Sequence, residues 1–472
     1  MSANQADAEL GALDLAAHRQ GAGVELHERH AQLLEAAGRV AEAAEALDRA
    51  LAIDAARPSA LDARARLSLA LGAEDTVEHC RRALALRGAD PELQLQMIGA
   101  AASMIGIAAL PLFEDYLSSY PADLSALEQV AELRAQAGYA EPFEGFEPAL
   151  AIGPDREELY LGYARSLRRG RDYAAAFEVV ARARRIFGET PASALMEAEL
   201  ALDSGDPRRA EHALHSGREL PGTAPVRAQL LLQAGLTTEA AALLERLVAS
   251  NPGDASLWAM LSIAWRLTRD PRHEWLCQPG LWRMLPLALS EGEREEIAAA
   301  LARIHTAKAA PLGQSVRGGT QTPGWLFART EPEIVRLSQI VAEGVRDYLG
   351  GLPPFDAEHP LLRHKDRRLA FGPSWSVRLT AGGFHVPHVH PGGVLSSALY
   401  LSVPPPTPNG PDKAGWLELG RPPAQLRLDL DPLAILQPCA GSLALFPSYL
   451  FHGTRPFPAG ERLSVAFDVV AG

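Results

Sequence analysis

The sequence predicts a multidomain α+β chain. An N-terminal α-helical repeat solenoid occupies residues 1–285, and a C-terminal double-stranded β-helix, or jelly roll, with a helical lead-in occupies 286–472. Three observations carry this. The 472 residues exceed what one hydrophobic core usually holds. Composition shifts from Ala-, Leu-, Arg- and Glu-rich helical text before about 285 to proline, glycine, aromatics and alternating patterns after about 310. The first part also repeats itself, while the second breaks into short apolar runs between turn clusters.

The repeat is read from paired apolar helices around a turn glycine. In AQLLEAAGRVAEAAEALDRALAID a helix carrying Leu33 and Leu34 stops at Gly38, and a second runs through Ala43, Leu47 and Ala50. The same grammar returns at Gly72 with Ala83 and Leu84, at Gly170 with Tyr173, Ala176 and Ala183, and at Gly205 with Ala210 and Leu214. The clearest copy has Gly235 as the turn, Ala240 and Leu244 as packing positions, Pro252 as the stop, and Trp258, Leu261 and Trp265 opening the next helix. Glycines 38 and 72 are 34 residues apart, 170 and 205 are 35 apart, and 205 and 235 are 30 apart. This period with small alanines between helices resembles tetratricopeptide repeats, most weakly over 85–160. An ordinary helical domain is the alternative. Stacked helix pairs offer a concave surface suited to a protein or peptide partner. His212 and His215 have no acidic or cysteine partner at ligand spacing and read as surface residues.

Helices are expected at 291–306, with acidic residues in the first turn, and at 332–349. Between them lies the Gly-rich QSVRGGTQTPGW. From Ser374 onward SWSVRLT, VLSSALYLSV, GWLEL, LRLDL, SLALFP and RLSVAFDVV read as strands, separated by clusters such as PPPTPNGPDKAG and FPAGE. That density of short strands predicts a β-sandwich or jelly roll with a mouth for a small ligand.

A net charge of −13 argues against nucleic-acid binding. Cys80, Cys277 and Cys439 form neither a disulfide framework nor a zinc spacing, which fits a reducing, cytoplasmic setting. The N-terminus lacks a basic start followed by an apolar run, and no window is read as reaching the roughly 18 apolar residues of a membrane helix. No membrane association is therefore expected.

The chemistry concentrates in one constellation. His388-Val389-His390-Pro391 is followed 62 residues after His390 by His452, and Arg462 lies ten beyond that. Histidines at i, i+2 on an extended segment face the same way. A third from a later strand closes a facial set that leaves metal positions open, the layout of a mononuclear iron oxygenase. A zinc site of three histidines is the chemical rival. Arg462 offers a planar fork for an acidic co-substrate, and Ser464 shares its strand face.

Segment 375–470 then resembles bacterial oxygenases that depend on 2-oxoglutarate and Fe(II), on SWSVRLTAGGFHVPHVHPGG, SSALYLSVP, GWLELG, LFPSYLFHGTRPF and ERLSVAFDVV in order. QSVRGGTQT resembles the lead-in to that domain, and tetratricopeptide repeats recur before it. The resemblance implies Fe(II) and 2-oxoglutarate as co-substrate, with His388 and His452 as ligands. It also implies Arg462-x-Ser464 as the 2-oxoglutarate motif. The family's usual carboxylate ligand is replaced here by His390. His390 is read either as the third ligand or as a residue behind the ligands. An imidazole leaves the site one negative charge short, which the dianionic co-substrate would offset.

Further candidates are Tyr400 and Ser397 near the co-substrate, His385 behind the ligands, Arg378 for a substrate carboxylate, and Arg317 and Gln321 in a polar loop read as a lid or rim. Asp468 is read as structural. The reading is a hydroxylase acting on a protein or peptide presented by the repeats. Its alternatives are a three-histidine dioxygenase or hydrolase without 2-oxoglutarate, and a non-catalytic repeat scaffold with a relic metal site.

Overall fold

A computed structural model describes residues 10, 13, 16, 17, 22–37, 39–71, 75–85, 90–215, 222–405 and 413–471. The turn glycines at 38 and 72, most of the 404–415 turn and nearly all of the N-terminal segment lie outside the described residues. The chain forms two compact units, residues 1–121 with 323–335 and residues 122–322 with 336–472.

The first unit is helical. Val24–Ala36, Val40–Ile53, Pro58–Leu71 and Thr76–Ala85 pack in succession. Ala43, Ala46, Ala50 and Ala60 are fully buried, so helix axes approach closely over small side chains. Pro91–Ile105 and Leu110–Ser119 follow, joined by a tight turn at Gly106–Ala109. This stretch, Pro91–Ser119, is long and apolar enough to cross a membrane by length and composition, with a third of its most apolar window buried. It corrects the expectation that no such window exists. Gln94, Gln96 and Pro111 interrupt the run to the eye without lowering its overall apolar character.

In the second unit the helix pairs continue: Leu124–Gln136, Phe146–Ile152, Glu157–Arg169, Tyr173–Phe187, Pro191–Ser204, Pro207–His215, Thr223–Gln233, Thr237–Ser250 and Ala255–Thr268. Their starts follow from capping. Asp123, Asp172, Thr190 and Asp254 each accept a backbone N–H of the first turn. Gly205 and Gly235 have φ of 86° and 75°, a turn conformation that costs glycine nothing. At the 170 turn the left-handed residue is Arg171 instead, and Gly170 is there for space: a Cβ would sit 2.8 Å from Phe143.

The same unit carries two antiparallel sheets. Strands β1 Arg283–Pro286, β2 Val316–Gln321, β3 Leu369–His385, β4 Leu395–Ser402, β7 Ser442–Pro447 and β9 Arg462–Ala471 form one, in the order β1-β7-β4-β9-β3-β2. Strands β5 Leu417–Leu419, β6 Ala434–Leu436 and β8 His452–Thr454 form the other, in the order β6-β5-β8. Leu417 and Leu419 of the small sheet pack with Ala444 and Phe446 of the large one, which closes the jelly roll. Helices Glu291–Ile304 and Pro332–Gly350 match the expected lead-in.

Two local readings are corrected. LRLDL is not a strand: Ala424–Leu426 is a short 3-10 turn and Arg427 has φ 54°, which breaks extension. QSVRGGTQT is not a loop, because 316–321 pairs with β3 as an edge strand. Gly319 is required there, since a Cβ would lie 2.4 Å from the Arg378 carbonyl oxygen.

Several bonds tie helices to sheet within this unit. The Ala255 amide donates to the Pro391 carbonyl (3.1 Å), and Arg266 donates to the Asp431 carbonyl (2.7 Å). Tyr449 and Tyr348 donate their hydroxyls to the carbonyls of Leu276 (2.7 Å) and Leu281 (2.6 Å).

Candidate metal centre

Directly opposed residues of neighbouring strands share a face. One row across the large sheet runs Gln321, Val377, Ser464, Tyr400 and Ser442. Leu379–Arg462 and Ser396–Asp468 lie on the same side by strand alternation. This is the face that meets β5 and β8.

His452 opens β8, and the chain after β3 passes alongside it. His388 N donates to His452 O (3.0 Å) and His452 N to His388 O (2.9 Å), a lone antiparallel bridge. His390 follows two residues on, before the Pro391-Gly392-Gly393 turn. The ring centroids stand 4.2 Å apart for His388–His452, 5.1 Å for His388–His390 and 5.0 Å for His390–His452. One ring nitrogen from each lies within 4.8 Å of the others.

Each ring is fixed through its far nitrogen. His388 Nδ1 donates to Val386 O (2.9 Å), His452 Nδ1 to Leu450 O (3.0 Å), and His390 Nδ1 to the Asp468 carboxylate. That leaves Nε2 as the atom each ring could offer a metal, the usual arrangement of a metal-bound imidazole. Burial, reinforced by His390, pushes His388 down to about 3, and burial holds His452 well below the ordinary histidine range. Both rings are neutral at pH 7 and keep the lone pair a cation needs. Imidazole donors suit iron, and three on one side leave positions for reactants, so the residues fit a mononuclear iron.

Arg462 is 2% exposed on β9. Its Nη1 donates to Gly415 O (2.9 Å) and its Nη2 to Thr454 Oγ1 (3.1 Å), two residues past His452. Among the described residues its Nε is buried without a partner, and so is the Tyr400 hydroxyl; the guanidinium stands 5.8 Å from the Tyr400 ring centre. Among the described residues no carboxylate pairs with Arg462. A buried cation with no counter-anion is costly, so an anionic ligand fits here. Ser464 is buried opposite Tyr400.

The other candidates disperse. His385 does not join the cluster; its Nδ1 lies 3.0 Å from Ser315 Oγ, which is 3.3 Å from His388 Nε2, the nitrogen that faces the other rings. Gln321 lies in the inner row. Arg317 bonds the carbonyls of Gln314 (2.6 Å) and Val316 (2.7 Å) and keeps a buried, unpartnered Nε. Arg378 lies on the opposite face and pairs with Glu461 (2.9 Å), both half exposed. Ser397 bridges to the Phe467 backbone, with Oγ 2.7 Å from its carbonyl oxygen. His212 is exposed.

Sequence reasoning missed Ser315, Ser396 and Thr454, and it read Asp468 as structural only. Asp468 shares with Ser396 the direction of Arg462 along β9 and could have been found from strand alternation. Its pairing with a residue 78 positions away required the register.

Residues 373–468 match the family described as "Putative 2OG-Fe(II) oxygenase". A search of curated proteins found no match. Among solved structures the chain is similar to HygX from Streptomyces hygroscopicus with nickel and 2-oxoglutarate bound: 16% identity, 40% of this chain and 83% of that one, TM-score 0.29. It is similar to a Pseudomonas putida prolyl-4-hydroxylase at 17% identity, over 46% of this chain and 99% of that one, TM-score 0.29. It is also similar to a thermophilic tetratricopeptide-repeat protein of Thermus thermophilus at 22% identity, over 37% of this chain and 99% of that one, TM-score 0.31. His388, His390, His452, Arg462, Ser464 and Asp468 all lie within the residues that match the 2OG-Fe(II) oxygenase family model, 373–468.

Proposed function

We propose that the chain is a 2-oxoglutarate- and Fe(II)-dependent oxygenase that hydroxylates a protein or peptide recruited by its helical repeats. In this reading the repeats span 1–285 and the catalytic part 286–472, the latter bonded to the last repeat helix. The observation that carries the reading is the buried, acid-free Arg462 beside three convergent histidines. His388, His390 and His452 would hold the iron. Arg462, with the Tyr400 hydroxyl and Ser464, would bind the distal carboxylate of 2-oxoglutarate. With Fe(II) and 2-oxoglutarate bound, dioxygen would be the oxidant: one of its oxygen atoms would enter the substrate C–H bond and the other the succinate formed as 2-oxoglutarate loses carbon dioxide. The protein's part is to fix the rings, neutralise the carboxylate and exclude water. Arg317 and Gln321 supply polar groups on the edge strand beside the site, where a substrate would pass.

A cleft of about 540 Å³ between the helices Pro207–His215 and Thr223–Gln233, lined by Leu214, Leu230 and Leu231, supports a peptide partner. Three free thiols, Cys80 and Cys277 buried and Cys439 exposed, fit a cytoplasmic setting.

The test is turnover. Full-length protein with Fe(II), ascorbate and 2-oxoglutarate should form succinate, and omission of either iron or 2-oxoglutarate should abolish it. Partners captured by the repeats should gain one oxygen atom from labelled dioxygen. Tight zinc binding with no 2-oxoglutarate consumption would favour the three-histidine hydrolase instead.

A further inference from the structure

Asp468 does more than fill a strand position. Its side chain is 11% exposed and that of His390 15%. Its Oδ1 accepts from His390 Nδ1 and from Ser396 Oγ (3.2 Å), and Ser396 Oγ in turn lies 2.9 Å from Ser448 Oγ. Trp375 flanks the His390 ring at 5.5 Å between centroids. The turn packs closely on this group: a Cβ on Gly393 would come within 2.4 Å of Ser448 Oγ. Two side chains, His390 of the turn after β3 and Ser396 of β4, thus bond this one β9 carboxylate, and Ser448 at the end of β7 bonds Ser396 in turn. His388 and His452 have only backbone carbonyls in that place.

We infer that Asp468 is the carboxylate of this metal centre, acting at one remove through His390. This rests on the iron-oxygenase reading above. Three neutral imidazoles would leave Fe(II) at +2, and dianionic 2-oxoglutarate would bring it to zero. Adding Asp468 gives −1, the count reached when a carboxylate ligates iron directly. A carboxylate behind a ligating histidine also fixes its tautomer and raises its basicity. Asp468 is a positioning and charge-supplying residue, since it does not itself reach the ligand cluster.

The experiment is anaerobic Fe(II) titration of the full chain, with and without 2-oxoglutarate, following metal affinity and the visible charge-transfer absorption of the ternary complex. Asp468→Asn should weaken Fe(II) binding by about ten- to a hundredfold and shift the absorption to higher energy. Adding His390→Asp to Asp468→Asn moves the charge into direct contact and should restore affinity to within a few-fold of wild type. Unchanged affinity and absorption in Asp468→Asn would overturn the inference. So would a double variant that binds no tighter than the single one. If Asp468→Asn is too unstable to titrate, the double variant decides alone: iron bound at near wild-type affinity supports the role, and no iron bound refutes it. Failure of the wild-type chain to bind Fe(II) would instead remove the oxygenase reading itself.

Discussion

His388 and His452 exchange both of their backbone hydrogen bonds, at 3.0 and 2.9 Å. A pair bonded this way cannot slip by one residue without sending one ring to the opposite face. The bridge therefore sets two candidate ligands by main-chain register, and their rings lie 4.2 Å apart with Nε2 of each facing the cluster.

The first prediction concerns these ligands. His388→Ala and His452→Ala should each abolish tight Fe(II) binding, lowering iron content from one per chain to near zero by elemental analysis. Full retention of iron in both variants would refute the assignment.

Arg462 and Tyr400 should behave differently from each other. Arg462→Ala should raise the 2-oxoglutarate requirement by about 30- to 4000-fold, the ~2–5 kcal/mol of a broken charge pair, with little change in Fe(II) affinity. Arg462→Lys should fall between. Tyr400→Phe removes a buried hydroxyl that has no partner among the described residues. It should leave the melting temperature of the ligand-free chain unchanged or higher, yet cost about 0.5–1.5 kcal/mol in 2-oxoglutarate binding. Arg378→Ala serves as a control: its ion pair with Glu461 is on the outer face, so co-substrate affinity should not move.

Gly393 should tolerate no side chain. Gly393→Ala would press on Ser448, which is fully buried and bonded to Ser396. Overpacking of this kind costs about 1–3 kcal/mol. A lower melting temperature together with weaker iron binding is expected; a variant matching wild type in both would show that the Ser448–Ser396 contact is not needed.

The last prediction is acid lability. His359 is fully buried, donates Nε2–H to Leu276 O (3.3 Å) and accepts the Leu361 and Leu362 amides on Nδ1 (3.1 Å each). Burial pushes it down to about 4 from an ordinary 6.5. The unfolded chain takes up this proton near pH 6.5 and the folded chain only near pH 4. The stabilisation is therefore fully present above about 6.5 and is lost as pH falls towards 4, by up to ~3 kcal/mol. His305, lowered to about 4 mainly by burial and then by Arg378, titrates in the same window. Melting of chelator-treated protein between pH 7.5 and 4.5 should steepen with acid, and His359→Gln should flatten part of that slope. Parallel curves for the two proteins would contradict it.

Much of this was legible because the signals are local. Turn glycines, buried alanines and capping residues mark helices within a few positions, and HVHP and FPSYLFHGT carry their ligands in short runs. Misreadings arose where the decisive contact is distant. Glycines in 316–321 read as a loop, yet they let an edge strand approach the β3 backbone. LRLDL alternates like a strand, but nothing in its spelling announces the left-handed Arg427. Arg378 was a case of parity. In SWSVRLT the inward set is Trp375, Val377 and Leu379, which already turns Arg378 outward. Asp468 needed the register of β4 with β9 to be seen facing Ser396.

The hydroxyls of Tyr348 and Tyr449 and the carbonyl of Pro391 have consequences for where this chain can be cut. Composition changes at about residue 285, yet Leu276, Leu281 and the Ala255 amide, which satisfy those three groups, all lie before it. A fragment beginning at 286 would expose to water, or strand in its interior, polar atoms whose partners had been discarded, at about 1–3 kcal/mol for each one left buried. The oxygenase part is not a detachable cassette. Its polar anchors reach back to residues 255–281, ahead of the point where the sequence changes its vocabulary, and the turn that carries His388 and His390 hangs from the first amide of a repeat helix.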